Sequence, residues 1–209
     1  MRFYNSLDQK IRRFDKLLKT LLPEKAAFVP PTPAENKELS APERRHSASL
    51  MRVNHSGEIC AQALYLGQAL TARDQLLAQQ LSLAAKEEQD HLSWCKNRIV
   101  ELGGKPSLLN PFWGLGAFMI GSTAGLLGDK VSLGFLAETE RQVSHHLEKH
   151  LSEISLNDKK SRAILAQMRL DEEKHATTAM ALGGIPFPRP VRKAMAMLSK
   201  IMTTTSRFI

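Results

Sequence analysis

The chain of 209 residues is long enough to bury one sizeable core, and its 43% hydrophobic residues exclude an intrinsically disordered protein. A formal net charge of +8 favours an anionic partner, either nucleic acid or an anionic membrane surface. Cys60 and Cys95 form no C-x-x-C pair, so we expect neither a thiolate metal cluster nor a disulfide framework. The amino terminus has no apolar core of the kind that a signal peptide needs.

The first predicted elements are an amphipathic helix over residues 3–22 and a proline-rich linker over residues 23–42. Ile11, Phe14 and Leu18 belong to a set of apolar residues that share one face of the helix, and five prolines follow it. We therefore expect residues 1–42 to form a separate amino-terminal region. A helical domain is expected over residues 43–209.

From about Ser47 onward the apolar spacing is helical almost to the end, and no alternating pattern predicts a strand. An uncharged stretch over residues 111–128, which carries five glycines, interrupts the series. A membrane-spanning helix needs roughly 20 apolar residues, so we interpret this stretch as a buried or membrane-surface segment. The other predicted helices cover residues 47–72, 74–102 and 131–155, a segment from a cap at Asn157 or Asp158 to about residue 183, and a basic amphipathic helix over 191–205.

Two Glu-x-x-His motifs occur in register along these helices, at residues 88–91 and 172–175. This spacing places the carboxylate and the imidazole on the same helical face. One glutamate precedes each motif on the previous helix, Glu58 by thirty residues and Glu140 by thirty-two, so the two halves form an internal repeat. The candidate metal ligands are Glu58, Glu88, His91, Glu140, Glu172 and His175.

This pattern is typical of ferritin-like bundles that hold two iron or manganese ions, in which two helices supply one glutamate each and two supply a Glu-x-x-His motif each. Four carboxylates balance the charge of two divalent ions, and oxygen and imidazole donors without thiolates suit iron or manganese. A third motif, at residues 43–46, has no upstream glutamate on a helix and is treated as coincidental. The prediction is an all-α, ferritin-like four-helix bundle with a hydrophobic crossover helix, short extra terminal helices and two iron ions per chain.

These motifs, together with Arg52-Val-Asn-His-Ser-Gly-Glu58 and with His145-His146 after Glu140, resemble the demethoxyubiquinol hydroxylases of ubiquinone biosynthesis over residues 47–205. The resemblance implies a flavin-independent di-iron monooxygenase, ferrous at rest, that uses O₂ to hydroxylate the ring of a polyprenylated benzoquinol. Cys60 and Leu147 depart from the family pattern, which has glycine and tyrosine there, but neither is a ligand position. The resemblance implies all six residues as iron ligands, and Glu58, Glu140 and Glu172 also as catalytic residues.

Several partners follow from the same resemblance. It implies a peripheral position on the cytoplasmic side of the cell membrane and an external electron donor, with NADH or the quinol as the source. No G-x-G-x-x-G motif predicts a bound dinucleotide fold. A homo-oligomer and association with other proteins of ubiquinone biosynthesis both stay open. Nucleic acid is not expected, because the basic residues are spread over the termini and no helix-turn-helix pattern is present.

Five further residues could lie near the site. His55, three residues before Glu58, is interpreted either as a donor behind the ligands or as a surface residue. Glu87 and Asp171 each precede a motif histidine by four residues and could orient that imidazole, but solvent-facing charge is the favoured interpretation. His145 and His146 lie off the face of Glu140, so we expect them at the surface or at a pocket rim.

Two rival functions remain at this point. The first is a ferritin-like protein that stores iron or scavenges peroxide, against which the apolar crossover argues. The second is a helical membrane adaptor without catalysis, in which the histidines and glutamates are incidental. Metal content separates the adaptor from the other two, and the product of the reaction with oxygen separates an enzyme from a storage protein.

Overall fold

The computed structural model describes residues 29–31 and 38–209, and within these ranges the regular elements are α-helices. The helices are α1 (Ala41–Thr71), α2 (Gln75–Glu101), α3 (Asn110–Leu126), α4 (Asp129–Glu153), α5 (Lys159–Ala181) and α6 (Arg189–Phe208). Residues 29–31 belong to no helix, and Val29 and Pro31 line a cleft of about 490 Å³ together with side chains of α2 and α5.

Side-chain caps explain where three of these helices begin. Ser40 and Glu43 form a reciprocal capping box at the start of α1, with Pro42 inside the first turn. The side chain of Asp74 accepts a hydrogen bond from the amide of Leu76 at the start of α2. Asp158 accepts one from the amide of Ser161 at the start of α5, which satisfies an amide that the helix itself leaves unbonded.

The bundle is built from two helical pairs, α1 with α2 and α4 with α5, and α3 crosses from one pair to the other against α1. α1 also contacts α4 and α6, so it is the central helix of the molecule. This central position explains why residues such as Leu50, Met51 and Leu66 of α1 are completely buried. The arrangement confirms the predicted all-α, ferritin-like four-helix bundle with a crossover helix.

Buried apolar side chains form two clusters, one at each end of the bundle. On α1, residues 48–51 belong to one cluster and residues 63–72 to the other, with Glu58 between them. The other three bundle helices repeat this division, since their members of the two clusters lie on either side of Glu88, Glu140 and Glu172. The acidic residues therefore form a thin polar layer between two apolar cores, where water is excluded.

Most predicted helix boundaries agree with the structure to within two or three residues, and one prediction was wrong. The linker was expected to extend to residue 42, but α1 already begins at Ala41, six residues earlier than predicted. Pro42 marks the first turn of the helix here, because the missing amide of a proline costs nothing at that position. The amino-terminal helix predicted over residues 3–22, and most of the linker, lie outside the described residues.

The crossover helix α3 and the carboxy-terminal helix α6 both leave apolar side chains exposed. On α3 the exposed fraction is 66% for Phe112, 62% for Leu115 and 62% for Met119. On α6 it is 63% for Met197 and 50% for Ile201. In the part of the chain that the structure describes, no helix combines the length and the apolar character that crossing a bilayer requires.

Candidate metal centre

All six predicted ligands meet in the polar layer, and each of the four bundle helices contributes at least one of them. Glu58 comes from α1, Glu140 from α4, and the two Glu-x-x-His motifs come from α2 and α5. The four glutamates are between 0% and 1% exposed, and His91 is 3% exposed. Glu58, Glu88, His91 and Glu172 each offer a ligand atom within 4.8 Å of the others, which is the geometry of a metal-binding group.

Glu88 and Glu172 lie between the two imidazoles. Atom Nδ1 of His91 is 3.1 Å from Glu88 Oε2 and 3.3 Å from Glu172 Oε1. Atom Nδ1 of His175 is 3.2 Å from Glu88 Oε1 and 3.4 Å from Glu172 Oε2. Each of these two carboxylates therefore presents one oxygen to each histidine, as a carboxylate does when it bridges two cations.

The remaining two glutamates divide between the two halves of the cluster. Glu58 Oε2 lies 3.8 Å from Nδ1 of His91. The charges of Glu172, Glu88 and His175 all act on the pKa of Glu140, so this carboxylate belongs to the same cluster. The internal repeat then pairs Glu140 with His175 as the distance pairs Glu58 with His91, and two carboxylates are shared between these half-sites.

The pKa shifts in the cluster indicate that its buried carboxylates need bound positive charge. Burial raises the pKa of Glu140 well above its usual range, and the charges of Glu172 and Glu88 raise it further. Burial likewise raises the pKa of Glu58, with the same two neighbours adding to the rise. Burial would lower the pKa of His91, but the surrounding carboxylates, Asp171 first, outweigh burial and raise it.

Many donor atoms in this layer are also unused. Within the described residues, hydrogen-bond partners are lacking for His175 Nδ1, for one oxygen each of Glu58 and Glu88, and for both oxygens of Glu140 and Glu172. Unsatisfied buried carboxylate oxygens are costly unless positive charge compensates them, so their concentration in one layer indicates that cations bind there. The donor set, buried oxygen atoms with two imidazole nitrogens and no thiolate, fits two divalent iron ions.

The outer nitrogen of each imidazole is held by a carboxylate from the opposite helix. His91 Nε2 lies 3.1 Å from Asp171 Oδ2 on α5, and His175 Nε2 lies 2.9 Å from Glu87 Oε2 on α2. Because a neutral imidazole carries one proton, donation from Nε2 leaves the lone pair on Nδ1 pointing into the cluster. The favoured expectation that Glu87 and Asp171 merely face solvent was wrong, and each orients the histidine of the other motif.

The other histidines named from sequence lie outside the cluster. His55 is buried, and its Nδ1 accepts a hydrogen bond from Asn110 Nδ2 at 3.2 Å, so it fastens α1 to α3 and is no surface residue. His145 is exposed, as expected. His146 is half-buried at the rim of a cleft, and its ring centroid lies 4.0 Å from that of His150, which sequence reasoning did not single out.

Tyr65 is a neighbour of the cluster that motif spacing did not indicate. It is 1% exposed, and its ring stands edge-on to that of His175 with 6.2 Å between the centroids. Burial raises the pKa of the Tyr65 hydroxyl, and the charge of Glu140 raises it further, so the phenol is protonated. The signal for it was available, since Tyr65 lies seven residues after Glu58 and therefore on the same helical face.

An apolar cleft of about 350 Å³ lies beneath α3 and α6. Its lining includes Gly57 and Cys60, which are within two residues of Glu58 in the chain, and Thr139, which precedes Glu140. Side chains of the two helices with exposed apolar residues also line it, among them Trp113 of α3 and Met202 of α6. The cleft therefore extends from the apolar surface of the molecule to residues that neighbour two of the buried glutamates in the chain.

Fold and site together define a ferritin-like helical bundle with a buried carboxylate–histidine cluster that can bind metal. Residues 45–206 match the family model described as "Ubiquinone biosynthesis protein COQ7". This match covers more than half of the chain, and the chain belongs to that family.

Curated relatives match the chain along its whole length. A protein of Legionella pneumophila (strain Lens) is 53% identical, with 100% of both chains covered. One of Nitrosospira multiformis is 55% identical, covering 98% of this chain and 99% of its own. One of Cupriavidus metallidurans is 52% identical, covering 96% and 99%. All three are named 3-demethoxyubiquinol 3-hydroxylase, in agreement with the resemblance noted from the motifs.

Among solved structures, the chain is similar to a dodecameric thioferritin, the bacterioferritin-related protein from Bacteroides fragilis. The TM-score is 0.56 and the sequence identity is 18%, and the match covers 68% of this chain and 85% of the other. At this identity the likeness concerns the fold alone. It supports the ferritin-like bundle and carries no information about the reaction.

Proposed function

We propose that this chain is a di-iron monooxygenase that hydroxylates the ring of demethoxyubiquinol in ubiquinone biosynthesis. Membership of the family and relatives named 3-demethoxyubiquinol 3-hydroxylase support the reaction. The observation that carries the proposal is the doubled half-site, because two shared carboxylates between two imidazoles are suited to a pair of iron ions.

The ligands divide between the ions as the half-sites do. Glu58 and His91 would hold one ion and Glu140 and His175 the other, with Glu88 and Glu172 between them as the remaining two ligands. When bound, the two iron ions would supply the redox chemistry that activates O₂. The chain contributes the rest: Asp171 and Glu87 hold the imidazoles in place, and the two apolar clusters keep water away from the reacting atoms.

The apolar cleft is the proposed binding site of the quinol. Gly57, Cys60 and Thr139 line it and lie within two residues of Glu58 or Glu140 in the chain, so a ring held against them would come close to the cluster, and an isoprenoid tail would extend outward between α3 and α6. A cleft lined mainly by apolar side chains favours an apolar ligand through burial of its surface. Only a few polar groups, such as the thiol of Cys60 and the hydroxyl of Thr139, lie along it to orient the ring.

We also propose that the molecule lies on an anionic membrane surface with α3 and α6 in the interface. The mouth of the cleft is surrounded by the exposed apolar side chains of both helices, including Phe112 and Ile201. The basic residues of α6 add electrostatic attraction of about 1 kcal/mol each near anionic lipids. Those residues are Arg189, Arg192, Lys193, Lys200 and Arg207. A quinol could then enter from the bilayer without its tail crossing water.

The reaction is tested with iron-loaded protein, a short-chain demethoxyubiquinol, a reductant and ¹⁸O₂. The expected product carries one labelled oxygen on the ring. Glu172→Ala should abolish turnover and lower the iron content, whereas Glu173→Ala, which removes the exposed neighbouring glutamate, should leave both unchanged. Full activity in Glu172→Ala would contradict the assignment of the site.

The same experiment separates the rival functions. An iron-storage protein would accumulate ferric mineral and release no hydroxylated quinol. A membrane adaptor would purify without iron and give no product. Absence of labelled product from an iron-loaded, folded sample would rule out the hydroxylase.

The membrane position is tested by flotation with liposomes. The chain should float with anionic vesicles at low salt and lose much of this binding in high salt or without anionic lipid. Replacing the exposed apolar residues Leu115 and Met119 of α3 with glutamine should weaken flotation. The matched control replaces Leu76 and Leu83, which are equally exposed on α2. Equal flotation of the two variants, or no binding by the unmodified chain, would contradict the proposal.

A further inference from the structure

Two clefts lie on opposite sides of the four-helix bundle. The bundle helices form a ring in the order α1, α2, α5 and α4, since each contacts the next. Helices α3 and α6 pack on the side of α1 and α4, where the apolar cleft lies beneath them. The cleft of about 490 Å³, here called the acidic cleft, lies between α2 and α5. Its lining includes Glu87, Asp90 and Trp94 of α2 and Asp171 and Lys174 of α5.

The acidic cleft differs from the apolar one in that metal ligands form part of its wall. His91 and His175 both line it, whereas none of the six ligands is among the described residues that line the apolar cleft. Atom Nδ1 of His175 is also buried and has no hydrogen-bond partner within the described part of the chain. The glutamates of the cluster are almost completely buried, so an incoming ion must first pass other side chains. From the acidic cleft, the first side chains of the cluster that it meets are the two imidazoles.

The charges of the two clefts also differ. Three carboxylates, those of Glu87, Asp90 and Asp171, line the acidic cleft with one ammonium group, that of Lys174. This excess of acidic groups stands in a chain with a formal net charge of +8. The described lining of the apolar cleft has no charged side chain. A hydrated divalent cation is therefore attracted to the acidic cleft, whereas it would lose water without compensation in the apolar one.

Glu87 and Asp171 connect the solvent with the cluster. Their side chains are 63% and 33% exposed, so water reaches both carboxylates. Each carboxylate also lies against the outer nitrogen of a ligand imidazole, Glu87 against His175 and Asp171 against His91. An ion held by either carboxylate is thus separated from the carboxylate layer by a single imidazole ring.

We propose that ferrous ions enter the cluster through the acidic cleft, attracted by its three carboxylates and passing the imidazoles of His91 and His175. Carboxylate oxygens suit this task, because they replace the water molecules that a hard divalent cation loses on the way. The quinol occupies the apolar cleft on the opposite side of the bundle, so ion and quinol have separate entrances. The inference rests on the proposed metal site and is independent of the hydroxylation.

The test is the rate at which the metal-free full chain takes up Fe²⁺ without oxygen or quinol. Quenching of tryptophan fluorescence follows the ion, because the ring centroid of Trp94 lies 5.3 Å from that of His91. Lys174→Glu, an exchange of an exposed side chain in the cleft wall, should speed uptake about three- to tenfold at low ionic strength. Lys174→Gln should give a smaller increase. Competition with a chelator measures the equilibrium affinity for iron, which should change less than the rate.

Lys159→Glu is the matched control, with the same change of charge on the same helix. Lys159 is exposed, does not line the cleft and lies about 22 Å from Lys174 along α5 at 1.5 Å per residue. Its variant should take up iron at the rate of the unmodified chain. In about 1 M salt, where charges are screened beyond about 3 Å, the advantage of Lys174→Glu should disappear.

Two results would overturn the proposal, and they have different consequences. Equal uptake rates in Lys174→Glu and Lys159→Glu at low salt would exclude the acidic cleft as the entrance and leave the metal site intact. Absence of uptake by the unmodified chain would contradict the metal site as well. Circular dichroism verifies that the variants are folded, and both lysines are exposed, so neither substitution disturbs the core.

Discussion

At the scale of single residues, the carboxylates behind the histidines differ in how far water can replace them. The side chain of Asp171 is 33% exposed and that of Glu87 is 63% exposed. Carboxylates behind metal-bound histidines typically contribute 10–100-fold in metal affinity or activity. The contribution of Asp171 should fall in that range, and that of Glu87 below it.

We therefore expect Asp171→Ala to lower iron affinity by at least about tenfold, and Glu87→Ala by less. Asp171→Asn should recover part of the loss, because its amide oxygen can still accept the proton of His91 Nε2. Competition with a chelator of known affinity measures the difference. An equal loss of iron affinity in the two alanine variants would show that solvent exposure does not determine how much each carboxylate contributes.

His55 should make the fold less stable in acid. Burial, with a smaller effect of Lys96, lowers the pKa of His55 to about 4, below the value near 6.5 of an unfolded chain. A depressed pKa means that this stabilisation is complete above pH 6.5 and is lost as the pH falls toward 4. The loss is at most about 3 kcal/mol for this shift.

His55→Gln should therefore show a shallower decline in the free energy of unfolding between pH 6.5 and pH 4 than the unmodified chain. The absolute stability of the variant is not the readout, because the substitution also alters the hydrogen bond to Asn110. Urea titrations at several pH values give the two curves. Parallel curves would mean that His55 titrates normally in the folded protein.

Residue identities predicted which side chains meet in the polar layer, because Glu-x-x-His spacing determines which side chains share a helical face. The partners of Glu87 and Asp171 were not predictable in the same way. Spacing along one helix says nothing about which residue of another helix lies opposite, and both carboxylates contact the histidine of the other motif. The position of Tyr65 beside the cluster was missed because an isolated aromatic residue in an apolar helix is usually a core residue.

At the scale of elements, Gly121 of α3 and Gly67 of α1 are contact points between these two helices. A Cβ atom built on Gly121 would lie 2.3 Å from the carbonyl oxygen of Leu64, and one on Gly67 would lie 2.3 Å from that of Phe118. Real Cβ atoms do not approach backbone atoms this closely. The two helices therefore pack backbone to backbone, which side chains larger than hydrogen would prevent.

Gly121→Ala should destabilise the protein by about 1–3 kcal/mol, although alanine favours a helix more than glycine does. Gly116→Ala on the same helix is the matched control, since a Cβ there has no atom within 4 Å. That change should be neutral or stabilising by up to about 1 kcal/mol. Thermal unfolding of both variants provides the comparison, and equal melting temperatures would exclude close packing as the reason for Gly121.

Helix positions were predictable from apolar spacing, prolines and glycine pairs, but the contacts of the crossover helix were not. From sequence, its glycines belonged to a segment that was interpreted as either buried or lying on a membrane surface. In the structure they allow α3 to lie against α1 while Phe112, Leu115 and Met119 stay exposed. Sequence composition cannot distinguish a buried segment from a membrane-surface segment, because the difference depends on which helix packs against it.

At the scale of the whole molecule, the carboxylate layer couples the stability of the fold to metal binding. The raised pKa values of Glu58, Glu140 and His91 mean that the metal-free fold is best stabilised when protons occupy the layer. Groups with a raised pKa lose their stabilising effect as the pH rises through the folded value. Metal ions replace those protons and bind more tightly as the pH rises.

Removal of iron with a chelator should therefore lower the melting temperature, and the gap between loaded and metal-free protein should widen from pH 6 to pH 8. The buried histidines outside the layer, such as His55 and His150, affect both forms equally and cancel from the difference. Scanning calorimetry of the two forms at matched pH measures the gap. A gap that narrows with rising pH would show that protons are not displaced by the metal.

The crossed pairs make the two repeats depend on each other. Glu87 and Asp171 occupy equivalent positions in the two repeats, as do His91 and His175, and each carboxylate contacts the histidine of the other repeat. Reciprocal contacts of this kind have the symmetry of a two-fold axis between identical subunits. A single helical hairpin of the α1–α2 type would leave its own imidazole without its outer partner. Neither repeat therefore forms a complete half-site alone, and α3 keeps the two halves at a fixed one-to-one ratio within a single chain.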